Sequence, residues 1–478
     1  MPSLREECGV MGVFRPVPGS VAEDCYLGLC ALQHRGQESC GMVVNEDGLF
    51  RMHQDAGLVS EVMTPGILGA LGQGGMALGH VRYGSAQERG RTNMQPIVIE
   101  HRKGRMALAN NGCLTNYTSL REQFEDQGYI FHSTSDAEII SCAITRARLT
   151  SGSIEEAVAG AMDDLEGSYS FVLMSPRKMV AVRSPRGFRP LCYGRREDGT
   201  YVIASESCAL QTLGAELVDD VKPGEILVFD SQGVRSDARR CGLVRPSICT
   251  FEFIYFSRPD SVVDGVSVHQ ARARAGEFLA REHPVEADIV VGVPDSGIDG
   301  AIGYAKASGI PYGMGFIKNK YIGRTFINPA EGRKSSVHIK LSPLSAVVSG
   351  QRVVLVDDSI VRGTTSRQIV RMLREAGAKE VHMRVTAPPF MHPCPYGTDI
   401  KSRDSLIACL YTQEEITGQI GADSLGFLSL KNVRKIARPI DETHFCTGCF
   451  SGEYPTPVPD SLERGRFGRR LIRLEEHA

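Results

Sequence analysis

Residues 353–365 read VVLVDDSIVRGTT, and this order of residue types predicts the fold of the second half of the chain. Its four leading apolar residues suit a strand that is buried on both faces of a parallel sheet. Two adjacent carboxylates, Asp357 and Asp358, follow where the strand ends, and a turn rich in hydroxyl groups leads into a helix. We expect Gly377 to end that helix as its C′ residue.

The turn and the carboxylates predict two binding tasks. Backbone N–H groups and hydroxyls at a helix start can hold a phosphate, whereas paired carboxylates repel phosphate and suit hydroxyl groups or a cation. A ribose, a phosphate and Mg²⁺ satisfy all of these demands. The stretch resembles the phosphoribosyl pyrophosphate (PRPP) motif of type I phosphoribosyltransferases. That resemblance implies that Asp357 and Asp358 hold the ribose hydroxyls, directly or through Mg²⁺ with Ser296 beside them, and that the 5′-phosphate is bound by Ser359, Gly363, Thr364 and Thr365.

Composition limits the remaining possibilities. A chain of 478 residues predicts two or three domains, and 42% hydrophobic with 23% charged residues is typical of a globular protein. A formal net charge of −2 argues against general nucleic-acid binding. No apolar run approaches the roughly 20 residues needed to cross a bilayer, and residues 1–10 lack a secretory pattern. We therefore expect a cytoplasmic protein that binds neither nucleic acid nor membrane.

After residue 235, strands and helices alternate, which predicts a doubly wound parallel sheet with strands at 288–293, 310–317, 353–356 and 381–386. Ligands bind beyond the carboxyl ends of such strands. Residues 318–327, KNKYIGRTFI, form a basic loop between two of them. Its cations, Lys318, Lys320 and Arg324, suit a segment that neutralises a pyrophosphate leaving group.

The first half, residues 8–235, shows short glycine-rich alternating segments that predict layered antiparallel sheets, with helices near 24–34 and 136–148. Residues 231–240 are interpreted as a linker. Cys8 opens the run CGVMGVF. If residues 1–7 were removed, the α-amino group of Cys8, with an ordinary pKa of about 7.7–8.0, could act as general base for its own thiol.

Four motifs in this half are LQHRGQESCG (32–41), GHVRYGS (79–85), NNGCLTN (110–116) and TSDAE (134–138). Together they resemble the class II, N-terminal-nucleophile glutamine amidotransferases. The resemblance implies that Cys8 is the nucleophile and that the Asn111 side chain and the Gly112 N–H stabilise the oxyanion. It also implies that Arg82 and Asp136 bind the amino-acid end of glutamine. Two positions depart from the pattern: Asn110 replaces a histidine and Cys113 an asparagine.

Fourteen cysteines in a cytoplasmic chain are expected to be thiols, nucleophiles or metal ligands. Cys446 and Cys449 form a C-x₂-C pair, and Cys249 and Cys394 lie upstream. Four thiolates suit either a structural zinc or a [4Fe–4S] cluster, and spacing alone cannot decide between them. The positions resemble those of the iron–sulfur subgroup of the glutamine PRPP amidotransferases, which implies the [4Fe–4S] cluster.

This last resemblance spans residues 8–449. It implies a propeptide (1–7), a class II glutamine amidotransferase domain of Ntn-hydrolase fold (8–235) and a type I phosphoribosyltransferase domain carrying the cysteine segment (236–478). The implied reaction converts glutamine, PRPP and water to 5-phosphoribosylamine, pyrophosphate and glutamate, the first committed step of purine biosynthesis. Purine nucleotide inhibitors and a homotetramer are implied as well.

Two other functions remain open at this point. A sugar-phosphate glutamine aminotransferase would share the first half but needs a sugar-isomerase domain in place of residues 353–365. A PRPP-sensing regulatory protein would keep residues 357–365 but need not keep Cys8, Asn111 or the basic loop. It would also carry a DNA-binding helix pair, which is not evident in the sequence.

Overall fold

The structure, a computed structural model, describes residues 8–83, 91–319, 341–398, 400 and 402–458. The chain forms two compact units, with the main boundary between Pro246 and Ser247. The short stretch 395–399 comes later in the chain but belongs to the first of these units. We call them the amino-terminal and the carboxyl-terminal unit. The described strands are β1 (Gly9–Gly19), β2 (Ser39–Glu46), β3 (Leu49–Ala56), β4 (Gly74–Arg82), β5 (Ile97–His101), β6 (Gly104–Asn111), β7 (Ser170–Met174), β8 (Met179–Arg183), β9 (Cys192–Arg195), β10 (Tyr201–Ala204), β11 (Glu216–Asp220), β12 (Ile226–Asp230), β13 (Gly233–Asp237), β14 (Ile248–Cys249), β15 (Val262–Val263), β16 (Val266–Ser267), β17 (Ile289–Gly292), β18 (Phe316–Lys318), β19 (Leu341–Pro343), β20 (Arg352–Asp357), β21 (Glu380–Val385), β22 (Ser424–Phe427) and β23 (Phe445–Cys446).

The described α-helices include single turns and longer helices. They are Val21–Ala31, Val59–Val62, Pro65–Leu71, Tyr117–Asp126, Asp136–Arg148, Ile154–Ala161, Ser207–Thr212, Val268–Glu282, Gly297–Ser308, Ser345–Val348, Thr364–Glu375, Ile407–Leu410, Gln413–Ile420, Leu430–Val433 and Gly448–Ser451. None of the helices in the described ranges is both long and apolar enough to cross a membrane.

The amino-terminal unit is built on two antiparallel sheets, in the orders β11-β9-β10-β1-β4-β2-β3 and β13-β12-β8-β7-β6-β5. Apolar side chains of both sheets form one buried cluster, to which Val10 and Leu78 contribute from the first sheet and Val172 and Phe229 from the second. The outer faces are covered by helices, among them Val21–Ala31 and Asp136–Arg148. The predicted layered antiparallel fold is confirmed.

One sequence prediction in this unit is wrong. Residues 231–240 are not a free linker, because β13 (Gly233–Asp237) pairs with β12 and forms the edge of the second sheet. Polar composition suggested a linker, but an edge strand with one solvent-exposed face is also polar.

The carboxyl-terminal unit contains a parallel sheet in the order β17-β20-β21-β22. Its central strand β20 is buried from Val353 to Asp357, as the apolar run predicts. The following helix, Thr364–Glu375, buries Ile369, Met372 and Leu373, and Gly377 lies one residue beyond its C-cap with φ of +96°. The strand–turn–helix prediction is therefore confirmed.

Residues 310–317 differ from the predicted full strand. The segment runs beside β17, where Val290 N–H donates to the Pro311 carbonyl and Gly313 N–H donates to the Val290 carbonyl. Only an isolated parallel bridge between Val290 and Tyr312 forms, and β18 pairs with β19 instead. Pro311 has no N–H to donate, which interrupts the ladder at this edge.

Candidate functional sites

Cys8 lies directly before β1, at the edge of the first sheet where β4 ends. The register places Gly9 opposite Val81, so Cys8 and Arg82 occupy neighbouring positions on adjacent strands. The half-buried Cys8 thiol lies 3.7 Å from the carbonyl oxygen of Tyr83. Two of the sequence-predicted glutamine-site residues, a thiol and a cation, therefore share one sheet edge although they are far apart in sequence.

The second sheet brings the NNGC motif to this edge. His80 Nε2 lies 3.1 Å from the carbonyl oxygen of Asn110, at the end of β6. That oxygen can only accept, so the ring carries its proton on Nε2. Burial lowers the pKa of His80 to about 3, and the nearby Arg82 charge adds to this effect. His80 is therefore a neutral, buried link between the two sheets.

We predict a pH signature for this link. The folded state lowers the pKa of His80 below its ordinary 6.5, so His80 contributes stability above pH 6.5 that is lost as the pH falls toward about 3. His80→Gln keeps an N–H donor but does not titrate. We expect the free energy of unfolding of wild type to fall by up to a few kcal/mol more than that of the variant over this range, measured by urea unfolding. Parallel pH profiles for the two proteins would contradict this.

Asn111 and Gly112 follow directly in the chain. Asn111 is 1% exposed, and neither its Oδ1 nor its Nδ2 has a hydrogen-bond partner among the residues that the structure describes. A buried amide without partners is costly and points to an absent ligand. Gly112 has φ of +129°, and a Cβ there would lie 2.4 Å from the Ser168 carbonyl oxygen, so only glycine fits.

The unpartnered amide leads to a second prediction. Asn111→Ala should lower kcat with glutamine by about 10²–10³, the cost of one oxyanion donor. It should not lower the free energy of unfolding, because the Asn111 amide makes no side-chain hydrogen bond within the described part of the chain. Asn45→Ala is the matched control. Asn45 is 2% exposed and donates to the carbonyls of Ser175 and Pro176, so this variant should lose stability and keep kcat. Steady-state kinetics and urea unfolding check both, and equal effects in the two variants would refute the assignment.

Arg82 and Asp136 are both held by their surroundings. Arg82 is 6% exposed, and its guanidinium donates to the Glu38 carboxylate at 3.3 Å. Asp136 is the first residue of its helix and is 7% exposed. Its Oδ1 accepts from the Leu114 N–H at 2.8 Å, which ties it to the loop that follows Gly112.

Sequence reasoning missed three buried polar residues at this edge: His80, Arg35 and Glu206. Arg35 Nε donates to the Cys8 carbonyl oxygen at 3.1 Å, and its Nη1 donates to Glu206 at 2.6 Å. Arg35 and His80 lie inside two of the motifs named above, and Glu206 lies in ASESCAL (204–210), which also fits the family pattern. None of the three was given a role in the chemistry.

In the carboxyl-terminal unit, Asp357 ends β20 and Asp358 follows it. Asp357 is 7% exposed and Asp358 is 8% exposed. The Ser296 and Ser359 hydroxyls each donate to the Asp358 carboxylate. A Cβ at Gly297 would lie 2.5 Å from the Val356 carbonyl oxygen, so the start of the neighbouring helix packs directly against the end of β20. The structure thus brings Ser296 to the acidic pair.

Two adjacent buried carboxylates repel each other. Burial, followed by the charge of Asp358, raises the pKa of Asp357 well above its usual value. Burial also raises the pKa of Asp358, although hydrogen bonds from Ser296 and Ser359 oppose the shift. A cation or hydroxyl donors bound at this place would relieve the repulsion.

Beyond the pair, the turn opens a helix as the sequence predicts. Gly363 is the N-cap with φ of +72°, and a Cβ there would lie 2.5 Å from the Ile407 side chain. Thr364 and Thr365 form the first helical turn, whose N–H groups have no intrahelical acceptor. Lys318 donates to the carboxylate of Asp295, the residue before Ser296. Lys320 and Arg324 lie outside the described residues.

The four predicted cluster cysteines belong to the carboxyl-terminal unit. Parallel pairing of β14 with β23 places Cys249 opposite Cys446. The Cys449 carbonyl accepts from the N–H groups of Met391 and His392, shortly before Cys394. Burial, then Cys394, Cys446 and Cys249 in turn, raise the pKa of Cys449 well above its usual value. The described ranges nevertheless contain no group of three or more His, Cys, Asp or Glu side chains arranged to hold a metal ion, so the cluster remains a prediction.

The amino-terminal unit carries the motifs that resemble a class II glutamine amidotransferase, and the carboxyl-terminal unit carries the PRPP motif with its buried acidic pair. This combination indicates a glutamine-dependent amidotransferase coupled to a phosphoribosyltransferase. Family models agree: one described as a glutamine amidotransferase domain matches residues 85–212, and one described as a phosphoribosyl transferase domain matches residues 264–418.

Similar proteins extend this to the whole chain. The chain is 46% identical to the amidophosphoribosyltransferase of Bacillus subtilis over 95% of each protein, and 45% identical to that of Archaeoglobus fulgidus over 95% of this chain and 98% of the relative. A solved structure of the B. subtilis glutamine PRPP amidotransferase complexed with ADP and GMP superposes with a TM-score of 0.87 at 45% identity, covering 95% of this chain and 98% of that one. The chain belongs to the amidophosphoribosyltransferases, transferases of purine biosynthesis that use glutamine and PRPP.

Proposed function

We propose that the residues described above carry the two half-reactions of this family. In the first, the Cys8 thiol attacks the side-chain amide carbon of glutamine while its proton passes to the α-amino group that removal of residues 1–7 exposes. The resulting oxyanion accepts hydrogen bonds from Asn111 and the Gly112 N–H. The α-ammonium group gives this proton to the amide nitrogen, which leaves as ammonia, and water then hydrolyses the thioester to glutamate. The buried Asn111 amide, which has no hydrogen-bond partner among the described residues, is the observation that carries this half.

In the second half-reaction, ammonia displaces pyrophosphate from C1 of the PRPP ribose. Asp357 and Asp358 hold the ribose hydroxyls, and Ser359, Gly363, Thr364 and Thr365 hold the 5′-phosphate at the helix start. Lys318, Lys320 and Arg324 neutralise the departing pyrophosphate. The buried acidic pair at the end of β20 is the observation that supports this half.

We also propose Mg²⁺ as a cofactor. A carboxylate pair whose pKa values are raised by burial, next to the Ser296 hydroxyl, offers the oxygen ligands that Mg²⁺ prefers together with substrate oxygens. When bound, Mg²⁺ supplies charge neutralisation for the pyrophosphate. The acidic pair itself orients the ribose.

Measuring the amounts of glutamate and pyrophosphate released tests the whole proposal. Glutamate release should depend on PRPP and should match pyrophosphate release one to one. A glutaminase that works without PRPP and makes no pyrophosphate would contradict it and would favour the sugar-phosphate aminotransferase. PRPP binding without any turnover would favour the sensing protein. A mature chain that still starts at Met1 and hydrolyses glutamine would disprove the terminal-amine mechanism.

A [4Fe–4S] cluster on Cys249, Cys394, Cys446 and Cys449 is our proposal for the cysteine segment. The Cys249–Cys446 register and the contacts of Cys449 with the 391–392 backbone support it. Cys249, Cys394 and the pair Cys446 and Cys449 belong to three segments that are distant in sequence, so the bound cluster acts as a structural cross-link. The purine nucleotide inhibitors and the homotetramer are proposed from the same family resemblance, and the cytoplasmic location from the sequence features given above.

The cluster leads to a direct prediction. Cys446→Ser should reduce the iron content from about four atoms per chain to near zero. The visible absorption should disappear and the free energy of unfolding should fall. All three quantities are measured on protein purified without oxygen. Cys409→Ser is the control. The Cys409 thiol lies 3.2 Å from the Met391 carbonyl oxygen, and a serine hydroxyl can keep that contact, so its iron content should not change. Bound zinc in place of iron in wild type would contradict the cluster.

A further inference from the structure

A buried ion-pair network lies behind the Cys8 backbone, and no step of the proposed reaction uses it. Arg35 Nε donates to the Cys8 carbonyl oxygen at 3.1 Å, while Arg35 Nη1 donates to Glu206 Oε1 at 2.6 Å. Both side chains are fully buried. A guanidinium stays charged in proteins, so it needs the negative charge of Glu206 in this place.

The position of Glu206 is fixed by its own strand. It follows β10, which pairs with β1, and the preceding Ser205 makes two hydrogen bonds with Val10. Val10 N–H donates to the Ser205 hydroxyl at 2.9 Å, and Ser205 N–H donates to the Val10 carbonyl at 3.1 Å. Glu206 is therefore held in register with the strand that directly follows the proposed nucleophile.

His34 completes the network. Its Nε2 lies 2.8 Å from the same Glu206 oxygen, and its Nδ1 lies 3.2 Å from the Ala31 carbonyl oxygen. Burial raises the pKa of Glu206, but the charges and hydrogen bonds of His34 and Arg35 outweigh it and hold that pKa well below the usual 4.5. The carboxylate thus stays ionised although it is buried.

We propose that Glu206 is a positioning residue for the Cys8 nucleophile: its carboxylate holds Arg35 on the Cys8 carbonyl oxygen. This contact fixes the peptide plane from which the thiol and the amino group of Cys8 project. A buried ion pair often adds little net stability, so we assign this pair the role of orienting Cys8. The inference rests on the proposed role of Cys8.

Glu206→Gln tests the inference, because it keeps the shape and removes the charge. We expect kcat with glutamine to fall by roughly 10–10², the range that misplacement by about 1 Å produces. The KM for glutamine should stay within about threefold, since Arg82 and Asp136 are untouched. Phosphoribosylamine formation from added ammonia should be unchanged.

Glu225→Gln is the matched control in the same unit. Glu225 is also buried, at 6% exposure, and it accepts from the Ser236 hydroxyl at 2.6 Å and the Lys222 N–H at 2.8 Å. Its replacement removes a buried carboxylate without touching the network, so kcat with glutamine should be that of wild type.

A double variant separates a folding defect from a loss of activity, because Glu206→Gln alone leaves the buried guanidinium without its carboxylate. Glu206→Gln with Arg35→Met removes both charges together, and it should fold and keep the low kcat. Wild-type kcat in either variant, or a parallel loss of ammonia-dependent activity, would overturn the inference. If Cys8→Ala keeps glutamine-dependent activity, the proposed function fails; if it loses that activity while Glu206→Gln behaves as wild type, only this inference fails.

Discussion

Replacing Cys8 by alanine is expected to abolish glutamine-dependent formation of phosphoribosylamine while leaving the ammonia-dependent reaction intact. Removing the nucleophile of a covalent mechanism costs roughly 10⁶-fold in kcat, which brings the glutamine reaction to background. In the proposed mechanism added ammonia needs no thiol, since it reacts directly with PRPP at the site proposed in the carboxyl-terminal unit. Measuring glutamate and pyrophosphate with each nitrogen source gives the answer.

Cys142→Ala provides the control for this variant. Cys142 lies in the helix Asp136–Arg148 of the same unit, and burial raises its pKa to about 12, so it stays a protonated thiol. Both activities should survive its replacement. Loss of both activities in Cys8→Ala would show that the two sites are not separable, and full glutamine-dependent turnover in that variant would remove Cys8 from the reaction.

Replacing Asp357 or Asp358 by asparagine is expected to impair both reactions equally. Each carboxylate hydrogen bond to a ribose hydroxyl contributes about 1.5–3 kcal/mol. Losing two of them lowers kcat/KM for PRPP by roughly 10²–10⁴-fold with either nitrogen source. Glutamate release should fall in parallel with pyrophosphate release, because it depends on PRPP. This pattern is the opposite of the one expected for Cys8→Ala, so the two variants together separate the half-reactions.

Asp288→Asn is the control at the amino ends of the strands of the same sheet. Asp288 precedes β17 and pairs with Arg352 at the amino end of β20, with a shortest distance of 2.8 Å. Ligands of such sheets bind at the carboxyl ends of the strands, so PRPP kinetics should stay as in wild type. An Asp357→Asn variant with unchanged PRPP kinetics would place the ribose elsewhere.

Local pattern predicted much of the fold and of the candidate site. The apolar run of β20, the acidic pair after it and the C′ glycine at Gly377 are each encoded by neighbouring residues, and the structure confirms all three. The helix Asp136–Arg148 was also predicted with its observed bounds. Predictions were wrong where context overruled composition, as in the polar edge strand β13 and the segment that Pro311 interrupts.

By itself, the sequence determined the two kinds of domain, the reaction family and the residue types that are proposed to carry the chemistry, because motifs are read from residues that are close along the chain. Only the tertiary structure decided which distant residues meet. Glu206 reaches Arg35 across 171 positions, and His80 reaches Asn110 from the facing sheet. Such contacts are set by strand register and burial. A buried charge or ring nitrogen needs a hydrogen-bonding partner, and the fold can supply that partner from any part of the sequence.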